Sequence, residues 1–149
     1  AKMDGKSWRV FVLMGDGEQT EGTVWEGAMA AAHYKLDNLI AIIDRNKLQM
    51  SGNTEDVMRL EPLEEKWKSF GWGVMAVDGN NVEQLEKALE SAPLVKDKPT
   101  LFMAYTIKGK GVSFIENEVG WHHKVPTDEQ LQQSIKELSK KDLWRVSHE

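Results

Sequence analysis

Short, nearly continuous apolar runs alternate along this chain with segments whose apolar residues recur at helical spacing. The first run, residues 9–14, is rich in β-forming residues and stops at a glycine-rich turn, which predicts a buried parallel strand. Comparable runs predict further strands at residues 39–43, 73–77 and 99–106. Helical spacing predicts helices at residues 23–36, 60–70, 82–92 and 127–140. The alternation predicts an α/β fold, with a parallel sheet flanked by helices on both faces.

The composition limits the classes of partner. The chain of 149 residues fits a single domain, and its 19 basic and 24 acidic residues give a net charge of −5. This balance argues against nucleic acid or an anionic membrane as the main partner, and no apolar run approaches the ~20 residues of a membrane-spanning helix. The absence of cysteine excludes disulfides and thiolate metal sites and is compatible with the cytoplasm, where we expect the protein. Glu61, Glu64 and Glu65 are predicted to form one solvated helix face.

Chemistry-bearing residues follow the first two predicted strands. Gly15 and Gly17 surround Asp16, so the backbone can turn sharply and approach a ligand closely. The segment has neither the spacing of a Rossmann fingerprint nor that of a Walker loop. Asn46 follows the second strand, so its amide oxygen and the Asp16 carboxylate are predicted neighbours at one sheet edge, suited to Mg²⁺. The alternative is that Asp16 is a turn residue and Asn46 a cap.

These segments carry a resemblance to a known enzyme family. GDG at residues 15–17 followed by Asn46 resembles the thiamine diphosphate motif, which opens with GDG and closes with Asn at about this spacing. Similarity to transketolases in particular rests on three fuller segments, GDGEQTEGTVWE, YKLDNL and NKL. The resemblance extends from about residue 10 to about residue 138 and implies the fold of their thiamine diphosphate-binding domain.

The resemblance implies a cation and a cofactor. Asp16, the side chain of Asn46 and the backbone carbonyl of Leu48 would bind Mg²⁺, with Ca²⁺ or Mn²⁺ as substitutes. The cation would anchor the diphosphate of thiamine diphosphate.

The same resemblance assigns roles to the loop after the first strand. Gly15, Gly17 and Glu18 would bind the cofactor, with the Gly17 amide donating to the diphosphate. Glu21 matches a family carboxylate at the interface between subunits. The alternative for Glu21 is a glutamate in the first turn of a helix, stabilised by the helix dipole.

A third strand end carries a Gly- and Lys-rich loop and, further on, a Trp-His pair. By resemblance, Lys108 would bind near the diphosphate, and His122 would contact cofactor and sugar as a catalytic residue. A lysine supplies a point charge for phosphate, and a histidine can shuttle a proton near neutral pH. The family commonly has Gly after this histidine, whereas His123 stands here, so either histidine could face the substrate. The alternative is that these residues are solvated loop side chains.

The implied activity is transfer of a two-carbon ketol unit from a ketose phosphate to an aldose phosphate. The resemblance covers only the diphosphate-binding half of such an enzyme. It therefore implies a partner, the C-terminal transketolase subunit with the pyrimidine domain, in a homodimeric or heterotetrameric assembly. We expect residues 1–142 to form an N-terminally incomplete cofactor domain and residues 143–149 a tail.

Two alternative functions stay open. The first is a related thiamine diphosphate enzyme, similar to deoxyxylulose-phosphate synthase or to a transketolase for sulfo- or branched sugars. The second is a non-catalytic assembly module of the same fold. Intact Asp16, Gly17 and Asn46 argue against the second.

Overall fold

The computed structural model describes residues 1–140, and the predicted tail at 143–149 and the domain limit at 142 lie outside them. Its strands are β1 (Val10–Gly15), β2 (Leu39–Arg45), β3 (Leu48–Gln49), β4 (Gly52–Asn53), β5 (Gly73–Asp78) and β6 (Thr100–Tyr105). Four of them form a parallel sheet, as the sequence predicts, and their spatial order is β1-β2-β6-β5. The other two, β3 and β4, pair as a small antiparallel hairpin.

Helices cover both faces of the parallel sheet, as predicted. They are α1 (Gly22–His33), α2 (Thr54–Val57), α3 (Leu63–Ser69), α4 (Val82–Glu90) and α5 (Asp128–Lys140). Helices α1 and α3 pack on one face and α4 packs on the other. Within the described part of the chain, none of these helices combines the length and apolar character needed to cross a membrane.

The central strand β6 divides the core into two clusters because its side chains alternate between the faces. Leu101 and Met103 join a cluster that contains Trp67 and Trp72. The two indole rings meet edge to face, with centroids 4.8 Å apart. Phe102 packs into the second cluster, under α4. Burial on both faces explains why this strand reads as a continuous apolar run.

The position of β1 corrects the prediction that this strand is buried. Val10, Phe11, Val12 and Leu13 are between 39% and 72% exposed. Among the described residues β1 pairs only with β2, so it forms an edge of the sheet. Uniform hydrophobicity indicates a strand with two apolar faces, but it carries no information about the strand's neighbours.

Helix boundaries differ from the predicted ones for local reasons. Helix α3 begins at Leu63 rather than at residue 60, because Pro62 disfavours helical backbone in the residue before it. Helix α1 ends at His33, shortly before Lys35 adopts a positive φ of 53°. A capping box begins α5, since the Gln130 amide donates to Thr127 Oγ1 at 3.3 Å and the Thr127 amide donates to Gln130 Oε1 at 2.9 Å.

Candidate functional site

Parallel pairing of β1 with β2 brings the first two chemistry-bearing loops together. Gly15, at the end of β1, lies in register with Asp44 of β2. Asp16 and Asn46 therefore follow adjacent strand ends at one edge of the sheet. Asp16 is 1% exposed and Asn46 is half-buried.

The Asp16 carboxylate is held through one of its two oxygens. Its Oδ2 accepts from Arg45 Nη1 at 3.0 Å and from the backbone amide of Lys47 at 2.5 Å. No donor among residues 1–140 reaches Oδ1. One oxygen therefore fixes the orientation of the group while the other keeps its capacity to bind a ligand.

The segment after β2 forms a turn whose Lys47 amide donates to Asp16. Asn46 Oδ1 accepts from the Leu48 amide at 2.9 Å, which closes an Asx turn. Lys47, at the centre of this turn, has a positive φ of 66°. Within the described chain no three acidic or histidine side chains form a cation-binding group, so any cation here would take a mixed set of oxygen donors.

Gly17 leaves room for close approach between the β1 loop and β3. A Cβ on Gly17 would lie 3.0 Å from Gln49 Cβ, closer than ordinary contact. Gln49 Oε1 is buried and has no hydrogen-bond partner among the described residues, so it can accept from a bound group. Glu18 Oε2 accepts from the Gly15 amide at 3.0 Å, which turns this carboxylate back onto its own loop.

Arg45 is the central charge of the site, and sequence reasoning missed it. It ends β2 with a side chain only 1% exposed. Nη1 donates to Asp16 and, at 2.7 Å, to Thr54 Oγ1. Nη2 donates to Glu55 Oε1 at 3.0 Å and to Glu61 Oε1 at 2.9 Å. One guanidinium thus joins Asp16, in the loop after β1, to three side chains of the segment 54–61.

The two glutamates that bind Arg45 are held in their charged form. Burial raises the pKa of Glu55, but amide donors including Leu60 and the Arg45 guanidinium outweigh it and lower that pKa below 4.5. The pKa of Glu61 is lowered in the same way, with the Leu63 amide donating at 2.9 Å.

These contacts correct the prediction that Glu61, Glu64 and Glu65 form one solvated face. Glu61 faces Arg45, and Glu64 accepts from the Tyr105 hydroxyl at 2.8 Å. Burial, aided by Glu64, raises the pKa of Tyr105 to about 12, so the phenol stays protonated at neutral pH. Helical spacing alone could not show that two of the three glutamates have partners distant in sequence.

A polar cavity of about 980 Å³ opens along the carboxyl ends of β2, β5 and β6. Asn46, Asn80 and Thr106 lie at these strand ends and line it. Lys110, an exposed residue, also lines it. Parallel sheets commonly bind ligands at this edge.

The structure places the Lys108 loop beside this edge but leaves the predicted histidines exposed. Lys108 is half-buried and lines a second cavity of about 490 Å³ together with Asp44 and Asn80. His122 and His123 are exposed and line neither cavity. The geometry does not choose between the two histidines, and a role for either stays a prediction.

Glu21 stands at the start of α1 with an exposed side chain. It occupies the N-cap position without a side-chain capping bond. Trp25, one turn later, donates from Nε1 to the Gln19 carbonyl at 2.9 Å, which ties α1 to the loop after β1. The exposed carboxylate can meet another protein chain, and an interface role for Glu21 stays a prediction.

Comparison with known proteins adds family information to this geometry. A family model described as "Transketolase, thiamine diphosphate binding domain" matches residues 3–143. The chain is 49% identical over 141 residues to one subunit of the apulose-4-phosphate transketolase of Phocaeicola vulgatus, covering 95% of this chain and 50% of that protein. It is 42% identical over 139 residues to the 6-deoxy-6-sulfo-D-fructose transketolase subunit SqwG of Clostridium sp., covering 93% of this chain and 50% of that one.

A solved structure gives the same result for the fold. The transketolase of Campylobacter jejuni superposes with a TM-score of 0.81 at 28% identity, over 89% of this chain and 21% of that one. The chain spans about half the length of the curated relatives named above.

Proposed function

The chain belongs to the transketolase thiamine diphosphate-binding domain family, and from this premise we propose that it supplies the diphosphate- and cation-binding part of a transketolase active site. The reaction would transfer a two-carbon ketol unit from a ketose phosphate to an aldose phosphate. The observation that carries the proposal is the buried Asp16 carboxylate, with one oxygen held and the other available, beside Asn46.

The donor atoms at this sheet edge fit a Mg²⁺ ion that binds a diphosphate. Asp16, the Asn46 amide oxygen and the Leu48 carbonyl offer hard oxygen ligands, and Mg²⁺ normally completes its shell with water and phosphate oxygens. Gln49 Oε1, which has no hydrogen-bond partner among residues 1–140, suits a hydrogen bond from such a water. Ca²⁺ or Mn²⁺ could substitute for Mg²⁺.

The remaining predicted residues would bind and orient the cofactor. When bound, thiamine diphosphate supplies the carbon nucleophile for ketol transfer, while the protein supplies position and charge. The Gly17 amide would donate to the diphosphate, and Glu18 would shape this loop through its bond to Gly15. Lys108 would add positive charge near the phosphates, and His122 would donate a proton or a hydrogen bond to the sugar.

A second protein chain completes the proposed enzyme. Two relatives are named as subunits of transketolases, which supports a partner chain. We assign to that partner the pyrimidine domain, with Glu21 at the contact between the two chains, in a homodimeric or heterotetrameric assembly. Residues 1–142 would form the cofactor domain, and the cytoplasm is the proposed location.

The sugar is a separate question with a second candidate answer. The names of two relatives specify apulose 4-phosphate and 6-deoxy-6-sulfo-D-fructose, which favours testing those donors beside common ketose phosphates. A resemblance to deoxyxylulose-phosphate synthase predicts pyruvate as donor instead.

Product analysis tests the proposed activity. The chain is co-purified with the pyrimidine-domain subunit proposed as its partner and incubated with Mg²⁺, thiamine diphosphate and an aldose phosphate. Donors are offered one at a time: xylulose phosphate, apulose phosphate, sulfofructose and pyruvate. Mass spectrometry should detect a product two carbons longer than the acceptor with one of the sugars. No such product from a complex that binds the cofactor would favour the non-catalytic assembly module.

A further inference from the structure

Arg45 forms a cluster with Asp16, Thr54, Glu55 and Glu61. These contacts are more than are needed to hold the end of β2 in place. A buried guanidinium next to a metal ligand poses an electrostatic problem, because its positive charge opposes binding of a cation to Asp16. A neutral donor could hold the same carboxylate without that cost. The arrangement around Arg45 therefore calls for an explanation beyond hydrogen bonding.

Glu55 and Glu61 pair with Arg45 and offset its positive charge. Both accept from Nη2, on the side of the guanidinium that does not contact Asp16. Counting Asp16, the cluster holds three carboxylates against one guanidinium, so two net negative charges remain. That excess complements a divalent cation.

We propose that Arg45 is a positioning residue that fixes the Asp16 carboxylate for cation binding, and that Glu55 and Glu61 offset its charge so that Asp16 keeps its attraction for the cation. The inference rests on the proposed function, since it assigns the cation to Asp16. Arg45 would act through Asp16, to which it donates, rather than as a ligand of the cation.

The geometry supports orientation as the role of Arg45. Arg45 and the Lys47 amide both reach the same oxygen, Oδ2, at 3.0 and 2.5 Å. These two bonds fix the orientation of the Asp16 carboxylate and leave Oδ1 available for the cation. Groups that orient a metal ligand from behind commonly change metal affinity by about 10- to 100-fold when removed.

The charge-offset half of the proposal is tested by Glu55→Gln, Glu61→Gln and the double variant. Glutamine keeps the size of the side chain and an acceptor oxygen for Arg45 but removes the charge. The control is Glu65→Gln, because Glu65 pairs with Lys68 in solvent and does not contact Arg45. The readout is the apparent Kd for Mg²⁺, measured by titration calorimetry on the co-purified complex with thiamine diphosphate in fixed excess.

We expect the double variant to bind Mg²⁺ roughly tenfold more weakly than wild type, with Glu65→Gln unchanged. A role limited to stability predicts a lower Tm but an unchanged Kd in the folded protein. A Kd within about twofold of wild type in the folded double variant would overturn the charge-offset role. If wild type itself shows no Mg²⁺-dependent binding, the proposed function fails instead, so the two failures are distinguishable.

Substitution of Arg45 tests the positioning role, because charge and orientation predict opposite changes in the Kd for Mg²⁺. Removing a positive charge beside a metal ligand would tighten cation binding if charge alone mattered. Loss of orientation predicts weaker binding, so we expect Arg45→Met to raise the Kd for Mg²⁺ by about tenfold or more. Tighter or unchanged binding contradicts the positioning role.

Arg45→Lys provides a second test of the positioning role if Arg45→Met does not fold. Lysine retains the charge but lacks the planar fork that reaches Asp16 and the glutamates together. We expect the Lys variant to bind Mg²⁺ more weakly than wild type, and equal affinity would overturn the positioning role.

Discussion

Gln19 joins Trp67 to the loop that follows β1. Its Oε1 accepts from the indole Nε1 of Trp67 at 3.2 Å, while its Nε2 donates to the Gly15 carbonyl at 3.1 Å. The Gln19 side chain is buried, and its bond to Trp67 is buried with it, whereas the bond to the Gly15 carbonyl is partly buried. The position of the proposed cofactor loop therefore depends on the core beneath α3.

Gln19→Met should destabilise the protein and loosen the loop that follows β1. Methionine preserves the volume but leaves the buried Trp67 donor and the Gly15 acceptor without partners, which costs about 1–3 kcal/mol. Urea denaturation measures the change in the free energy of unfolding. Gln132→Met is the control, since Gln132 is exposed on α5 and should change stability by no more than about 0.5 kcal/mol. Equal losses in the two variants would contradict the structural role of Gln19.

Gly109→Ala should disrupt the loop that carries Lys108. Gly109 has a φ of +71°, and an added Cβ would lie 2.3 Å from Ile115 Cγ2 and 2.9 Å from the Ile115 backbone. Strained backbone alone costs roughly 1–3 kcal/mol, and the clash adds to it. We expect a lower Tm and weaker binding of thiamine diphosphate by the complex. Gly120→Ala is the matched control, because nothing lies within 4 Å of its added Cβ and its φ is not positive.

The fold could be predicted from the sequence further than the site could. Continuous apolar runs identify strands such as β6, because burial on both faces leaves no polar positions. The edge position of β1 could not be predicted, since the order of strands is a property of the assembled sheet. Asp16 and Asn46 could be paired because parallel strand ends share one edge.

Arg45 was missed because its partners are distant along the chain. Thr54, Glu55 and Glu61 lie 9, 10 and 16 residues further on, in a segment whose hairpin and short helix give little periodic signal. An arginine at the end of a strand whose first five residues are apolar is the one local hint. A buried charge needs compensating partners, so the position of Arg45 could have prompted a search for acidic residues nearby.

The charged contacts of Glu55 and Glu61 predict loss of stability in acid. Both pKa values are lower in the folded protein than the ordinary 4.5, so each group stabilises the fold above that pH. The contribution declines as pH falls below about 4.5 through the folded pKa values. Urea denaturation between pH 6 and pH 3 should show a shallower acid-side loss in Glu55→Gln/Glu61→Gln than in wild type. Parallel curves for the two proteins would contradict the assignment.

The central claim is that Asp16 holds a cation that anchors the diphosphate of thiamine diphosphate. Its most direct test is calorimetric titration of thiamine diphosphate into the co-purified complex, with Mg²⁺ or with EDTA, for wild type, Asp16→Asn and the exposed-site control Asp4→Asn. We expect Mg²⁺-dependent binding in wild type and Asp4→Asn, and binding weaker by roughly tenfold or more in Asp16→Asn. Binding that persists in EDTA, or that Asp16→Asn leaves unchanged, would contradict the claim.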